Sequence, residues 1–246
     1  MRKLKSETYE WKNTKMQNEN KNKRINISDK YNTVIFLVRH GQSIGNAKRE
    51  FLGHTNKDLS ELGYLQARKT AEFLAEEKID AIYSSDLLRA YNTAVPHAKM
   101  RKLKINTRES LRELYAGLWE GMMVEDIIKQ YPHEFLEEWR GKNYGITTIP
   151  GGESVQAGAE RFYAEVLKIA REHEGKSVLI TAHAAVIRGF WGKLLRIAPE
   201  DLGLAFDYPT NASVSVLYYD GTDLVAGEYS HDEHLLNVES ELPNEA

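Results

Sequence analysis

Apolar and polar positions along this chain follow two periods that alternate in blocks. Val34-Ile35-Phe36-Leu37-Val38 and Ser177-Val178-Leu179-Ile180-Thr181 are apolar runs rich in β-branched residues. Runs of that kind predict strands buried on both faces. Ile79-Asp80-Ala81-Ile82-Tyr83 predicts a shorter strand, and Ile105 marks another. Helical spacing fills the gaps. Residues 60–77 carry Ala67, Thr70, Ala71 and Leu74 on one face, with Ser60 as an N-cap. Residues 87–100 predict a second helix, kinked or stopped by Pro96. Residues 154–173 predict a long amphipathic helix with the stripe Val155, Ala159, Phe162, Val166 and Ala170, ended by Gly175. A helix over 185–195 follows. Residues 212–219 and 224–229 predict a hairpin around Asp220-Gly221-Thr222-Asp223.

Strands alternating with helices predict an α/β fold of three layers, a mostly parallel sheet flanked by helices on both faces. The stretch at about 119–152 breaks this rhythm. It predicts a small cap insertion of short helices over 124–131 and 134–140, separated by Pro132, then a loop with the turn signal Pro150-Gly151-Gly152. The loop from Gly41 to Asp58 has no period.

Composition narrows the class. With 246 residues, 41% hydrophobic and 28% charged, the chain suits a globular α/β domain. A net charge of −3 gives no general argument for nucleic-acid binding. No apolar run approaches the ~20 residues needed to span a membrane. Cysteine is absent, which excludes disulfides, thiol nucleophiles and cysteine-held metals and suits a cytoplasmic setting. Residues 1–30 differ from the rest: nine basic and four acidic residues give them a net charge of +5, with few apolar positions. They predict a disordered basic extension, the domain proper spans 31–236, and 237–246 predicts a loose acidic tail.

Four polar clusters follow strands or open helices. They are Arg39-His40-Gly41, Ser85-Asp86-Leu87-Leu88-Arg89, Leu111-Arg112-Glu113 and Thr181-Ala182-His183. If the four strands run parallel, their carboxyl ends bring two arginines, two histidines and a carboxylate to one spot. That set suits phosphoryl transfer through an imidazole. Cations offset the charge spread over phosphate oxygens, one imidazole attacks phosphorus, and a carboxyl group serves the leaving oxygen. Taken singly, each residue has a plainer reading as a surface histidine or a helix-end charge.

The motifs resemble those of the histidine phosphatase (phosphoglycerate mutase-like) superfamily. Leu37-Val38-Arg39-His40-Gly41-Gln42-Ser43 with Asn46 is similar to its signature. Leu59 to Ala67, Ser84 to Ala94, Leu111 to Gly121 and Val178 to Arg188 are similar to its further motifs, in family order. The resemblance implies His40 as phosphorylated nucleophile, Glu113 as general acid, and Arg39, Arg89 and His183 as phosphate ligands. Asn46, Gly41, Gly53 and Ala184 become phosphate- or substrate-binding positions. Ala184 departs from the family's usual glycine, and its methyl group threatens to narrow the pocket or exclude a positive φ. No metal and no organic cofactor is implied, and the partner is a small phosphorylated metabolite.

Three rival readings accompany this one. By cap composition the chain resembles the small broad-specificity phosphatases, because the cap carries Glu125, Asp126, Glu134, Glu137 and Glu138 against Lys129, Arg140 and Lys142. An acidic cover is a poor clamp for a sugar acid, which disfavours a cofactor-dependent phosphoglycerate mutase. A non-catalytic phospho-ligand module would have lost His40 or Glu113. His231-Asp232-Glu233-His234 could ligate a metal, but reads better as a solvated turn. His54 either faces the leaving group or is exposed.

Overall fold

The computed structural model describes residues 25–238. Residues 1–24 of the expected basic extension and 239–246 of the expected tail lie outside the described residues. In chain order the elements are β1 (Thr33–Arg39), α1 (Ile44–Ala47), β2 (Glu50–Phe51), α2 (Glu61–Phe73), β3 (Ala81–Ser84), α3 (Leu88–Arg101) and β4 (Ile105–Thr107). The cap holds β5 (Met122–Met123) and α4 (Val124–Gln130). Then come α5 (Val155–Glu172), β6 (Ser177–Ala182), α6 (Ala184–Leu194), α7 (Leu202–Ala205), β7 (Val214–Tyr219) and β8 (Leu224–Ala226).

The sheet order is β4-β3-β6-β1-β7-β8. β4, β3, β6 and β1 are mutually parallel, while β7 runs antiparallel to β1 and β8 antiparallel to β7. Register sets Arg39 level with Ala182, and Ser84 level with Thr181. The polar clusters therefore leave the sheet along one edge.

Both faces of the central strands are covered, as their continuous apolar runs require. Ile35, Leu37, Val178 and Ile180 pack under α5 and α6 against Phe162 and Phe190. Val34, Phe36, Val38, Ile82 and Leu179 pack on the other face against Leu74, Ala94 and Ala98 from the α2–α3 side. Every position of the predicted α5 stripe is buried, and the Ser154 hydroxyl accepts from Ala157 N–H as N-cap. Ser60 caps α2 in the same way, through Gly63 N–H.

Several expectations are corrected. Pro96 neither stops nor divides α3, which continues to Arg101. The missing N–H costs roughly 3 kcal/mol in a helix interior, and burial of Ala90, Thr93, Ala94, His97 and Ala98 along one face offsets it. The loop after β1 contains a one-turn helix whose capping box joins Ser43 and Asn46, and β2, which pairs with β5 of the cap. The second cap helix is a wide π-type turn over His133–Trp139. Packing begins before residue 31. Ile25 is buried, Asn26 N–H donates to Glu228, and Ser28 N–H donates to the Tyr218 hydroxyl. At the other end, Val238 is buried against Leu62 and Leu65. Among the described residues no helix is long and apolar enough to cross a membrane.

Candidate active site

The carboxyl end of β1 delivers Arg39 and His40 to the sheet edge, where His40 N–H donates to the Ala182 carbonyl at 2.9 Å. His40 is buried, and its Nδ1 lies 2.7 Å from the Gly41 carbonyl. A carbonyl only accepts, so Nδ1 carries the proton and Nε2 keeps its lone pair. Burial holds the His40 imidazole well below the ordinary histidine range, and the Arg89 and Arg39 guanidinium groups push it further down. The ring is neutral at neutral pH, as a nitrogen nucleophile must be.

The two arginines are buried cations. Arg39 Nη1 donates to the Pro209 carbonyl at 2.5 Å, and its Nε has no partner among the described residues. Arg89 enters from the first turn of α3 and donates to the carbonyls of Thr55 at 2.9 Å and Gly53 at 2.7 Å. Burial lowers each to about 10, with the Glu113 carboxylate opposing, so both stay charged at neutral pH. His183 follows β6 and caps α6. Its ring centroid is 5.2 Å from that of His40, and neither of its buried ring nitrogens has a partner among the described residues. Burial, Arg89 and His40 keep this imidazole neutral as well.

Glu113 approaches from the loop after β4. Its Oε1 accepts from Leu114 and Val186 N–H, both at 2.9 Å, and its Oε2 accepts from Ala185 N–H at 3.0 Å. Two of these donors belong to the first turn of α6, where backbone N–H groups have no intrahelical partner. Oε2 accepts only one bond, which leaves a lone-pair direction for a proton.

The remaining expected positions divide. Asn46 and Gly53 line the same cleft as His40, Arg39, Arg89 and Glu113, a space of about 350 Å³. The Asn46 side-chain oxygen is engaged by Ser43 N–H at 3.2 Å, so the amide NH₂ is the part free to donate. Gly53 sits at φ +48, and its carbonyl takes Arg89. Ala184 also lines the cleft. It opens α6 without a positive φ, so the backbone there does not require glycine. Gly41 is not part of the cleft wall. Its N–H donates to Thr93 Oγ1 at 3.0 Å, and a Cβ on it would lie 2.5 Å from the Gly63 carbonyl. Its glycine character serves the close approach of α2.

His54 supports the acid rather than facing the cleft. Its Nε2 donates to the Glu113 carbonyl at 2.9 Å. Two further supports are not among the expected site residues, although Glu120 falls within the motif-like stretch Leu111 to Gly121. Arg161 of α5 pairs with Glu153 at 2.7 Å and donates to the carbonyls of Ser110, Arg112 and Glu113. Glu120 accepts from the N–H groups of His54, Thr55 and Ala116, joining the two loops that hold Arg89 and Glu113. Arg161 reaches the carbonyls of residues 48–51 positions away, and Glu120 reaches His54 and Thr55 at separations of 66 and 65, so no local spacing announces those contacts.

The outer cleft corrects the expectation of an acidic cover. Glu125 pairs with Arg49 at 3.2 Å and Asp126 with Lys129 at 3.1 Å, while Glu138 lies 3.6 Å from His133. None of the cap's acids lines the cleft, whereas Arg49 and Arg140 do, beside Trp139 and Tyr208. His231 and His234 are not a solvated turn either. His231 is buried, and both rings stack on Phe73 with centroids 5.1 and 4.4 Å away. Among the described residues no cluster of three or more histidine, aspartate or glutamate side chains could hold a metal ion.

A family model described as histidine phosphatase superfamily (branch 1) matches residues 35–230. Phosphoserine phosphatase 1 of Hydrogenobacter thermophilus is 31% identical over 185 residues, spanning 75% of this chain and 85% of that protein. Phosphoglycerate mutase-like protein 4 of Arabidopsis thaliana is 32% identical over 214 residues, 85% of this chain and 90% of that one. Among solved structures, mycobacterial glucosyl-3-phosphoglycerate phosphatase in complex with VO3 superposes with a TM-score of 0.74 at 28% identity. That match covers 81% of this chain and 99% of the other.

Proposed function

The chain belongs to the histidine phosphatase superfamily (branch 1), and on that premise we propose that it hydrolyses small phosphomonoesters through a phosphohistidine on His40. The observation that carries this reading is the fixed tautomer of His40. Its Nδ1–H is held by the Gly41 carbonyl, so Nε2 is the nucleophile between two buried guanidinium groups. Relatives named as phosphoserine and glucosyl-3-phosphoglycerate phosphatases support the class of reaction.

Arg39, Arg89 and His183 bind the phosphoryl oxygens and offset their charge in the transition state. His40 Nε2 forms a bond to phosphorus as the ester oxygen departs, and Glu113 passes a proton from Oε2 to that oxygen. Water then attacks the phosphohistidine, Glu113 takes its proton, and the N–P bond breaks to release orthophosphate. The cationic field comes from the two arginines, so no step here requires a metal ion. The absence of cysteine supports a cytoplasmic setting.

His40→Ala tests the reading. It is expected to lower turnover of p-nitrophenyl phosphate at least about 10³-fold, as loss of a covalent nucleophile does. Quenching the wild type in alkaline detergent during turnover of labelled substrate is expected to trap an alkali-stable phosphoryl group, lost on acid treatment, that the variant lacks. Near-normal turnover by the variant would overturn the proposal.

A further inference from the structure

The proton on His40 Nδ1 is held by one carbonyl, that of Gly41, and so by the orientation of the Gly41–Gln42 peptide. A peptide is planar and trans, so its C=O and N–H point in opposite directions and turn together. Whatever grips the N–H end therefore aims the carbonyl. At this peptide the N–H belongs to Gln42, and it donates to the side-chain oxygen of Gln66 at 2.8 Å. Gln66 lies in α2 and is not part of the cleft wall.

The peptides on either side are held at both ends by groups other than the ring. The His40 carbonyl accepts from the Asn211 side-chain NH₂ at 3.0 Å and from Ala212 N–H at 3.2 Å, while Gly41 N–H donates to Thr93. The Gln42 carbonyl accepts from Ser60 N–H at 2.9 Å, and Ser43 N–H donates to the Asn46 side chain. The peptide between them has the His40 ring at its carbonyl end and Gln66 at its N–H end. Its rotation needs a change in ψ of Gly41, which no side chain opposes. Gln66 reaches it from a firm base. α2 meets the loop backbone to backbone through Gly41 and Gly63, and Thr70, one turn beyond Gln66, lies 3.0 Å from the Ala212 carbonyl through its hydroxyl.

Resting on the phosphatase reading above, we propose that Gln66 is the positioning residue for the nucleophile: by holding Gln42 N–H it aims the Gly41 carbonyl at Nδ1 and keeps Nε2 bare. Without that acceptor the peptide turns, its carbonyl leaves Nδ1, and its N–H takes the carbonyl's place. Nδ1 must then accept, so the ring proton moves from Nδ1 to Nε2 through solvent. The lone pair faces the loop, and the nitrogen that attacks phosphorus carries hydrogen instead.

Two variants separate this role from a merely structural one. Gln66→Met removes the acceptor at similar length, and Gln66→Glu keeps an oxygen at the same reach. Long-range proton–nitrogen correlation on the full chain, labelled at the histidine nitrogens, reads the tautomer directly. His40→Ala identifies the His40 signals among those of the eight histidines. At neutral pH the wild type is expected to show a protonated Nδ1 and a bare Nε2. In Gln66→Met the nitrogen shifts are expected to move toward the Nε2–H form. Its kcat for p-nitrophenyl phosphate is expected to fall at least about fivefold, with KM within about twofold. Gln66→Glu is expected to restore the wild-type tautomer and most of the turnover. A Gln66→Met variant with wild-type nitrogen shifts overturns the proposal even if its turnover falls, because that fall would be structural. A wild type protonated at Nε2 overturns it as well. A wild type that holds the expected tautomer but hydrolyses no p-nitrophenyl phosphate overturns the phosphatase reading instead, and the spectra of the variants still decide the role of Gln66.

Discussion

Acidification is expected to destabilise this protein well above the pH at which carboxylates titrate, and the buried histidines set the size of the effect. His97 lies in α3, fully buried, with no partner for either ring nitrogen among the described residues. Burial lowers it to about 3, with Arg101 and His234 pressing in the same direction. His40 and His183 are held well below the ordinary value by burial and the nearby arginines. All three are neutral when folded, but titrate near pH 6.5 when unfolded. The unfolded chain thus binds more protons, and stability falls as pH falls. The loss begins near pH 6.5 and continues down to each folded-state pKa. Between pH 7.5 and 5.5 each such imidazole contributes a loss of about 1.4 kcal/mol, so three contribute about 4 kcal/mol. That is a large part of the 5–15 kcal/mol usual for a domain. Urea unfolding at the two pH values measures it, and His97→Leu isolates one member. The variant removes two unpartnered nitrogens at similar volume, so its stability at pH 7.5 is expected to hold or rise. Its loss between pH 7.5 and 5.5 is expected to shrink by about 1.4 kcal/mol. A variant with the wild-type pH slope, or a wild type equally stable at both pH values, would refute the argument.

Two further substitutions probe the supports of the site. Arg161→Met removes the ion pair with Glu153 and three bonds to the acid-bearing loop. The expected loss is about 1.5–3 kcal/mol of stability, with kcat falling more for alkyl phosphates than for p-nitrophenyl phosphate, whose leaving oxygen needs little protonation. Equal losses on both substrates would show that Glu113 is unaffected. Gly63→Ala places a Cβ 1.9 Å from the Gln42 carbonyl at the contact between α2 and the loop after β1. A loss of about 3 kcal/mol is expected, seen as a fall of about 6–12 °C in thermal midpoint. An unchanged melt would mean that α2 can shift freely.

The strands, most of the helices and the core of the site are legible because their signals are local. Val34 to Val38 and Val178 to Ile180 are apolar without a break, so both faces had to be covered. The stripe from Val155 to Ala170 needs no knowledge of what it packs against. Arg39, His40, Arg89, Glu113 and His183 could be brought together because each follows a strand or opens a helix, and parallel strands share an edge. Where a residue answers to a distant partner, the sequence is silent. Pro96 stays inside α3 because one face of that helix is buried against the sheet, a cost and a gain that no propensity scale combines. His54, Glu120 and Arg161 support the acid through contacts at separations of 48–66 residues.

The sequence by itself determined the layered α/β architecture, the edge at which the polar clusters gather and the residue types that meet there. Those follow from short-range periodicity and chain order. Only the tertiary structure decided which proton His40 keeps, what holds Glu113, and that an acidic cap turns a cation toward the cleft. Net charge counts residues irrespective of position, whereas recognition depends on which charges remain after near neighbours have paired. In the cap, Asp126 and Lys129 neutralise each other on the surface, Glu125 is taken by Arg49, and Arg140 is left facing inward.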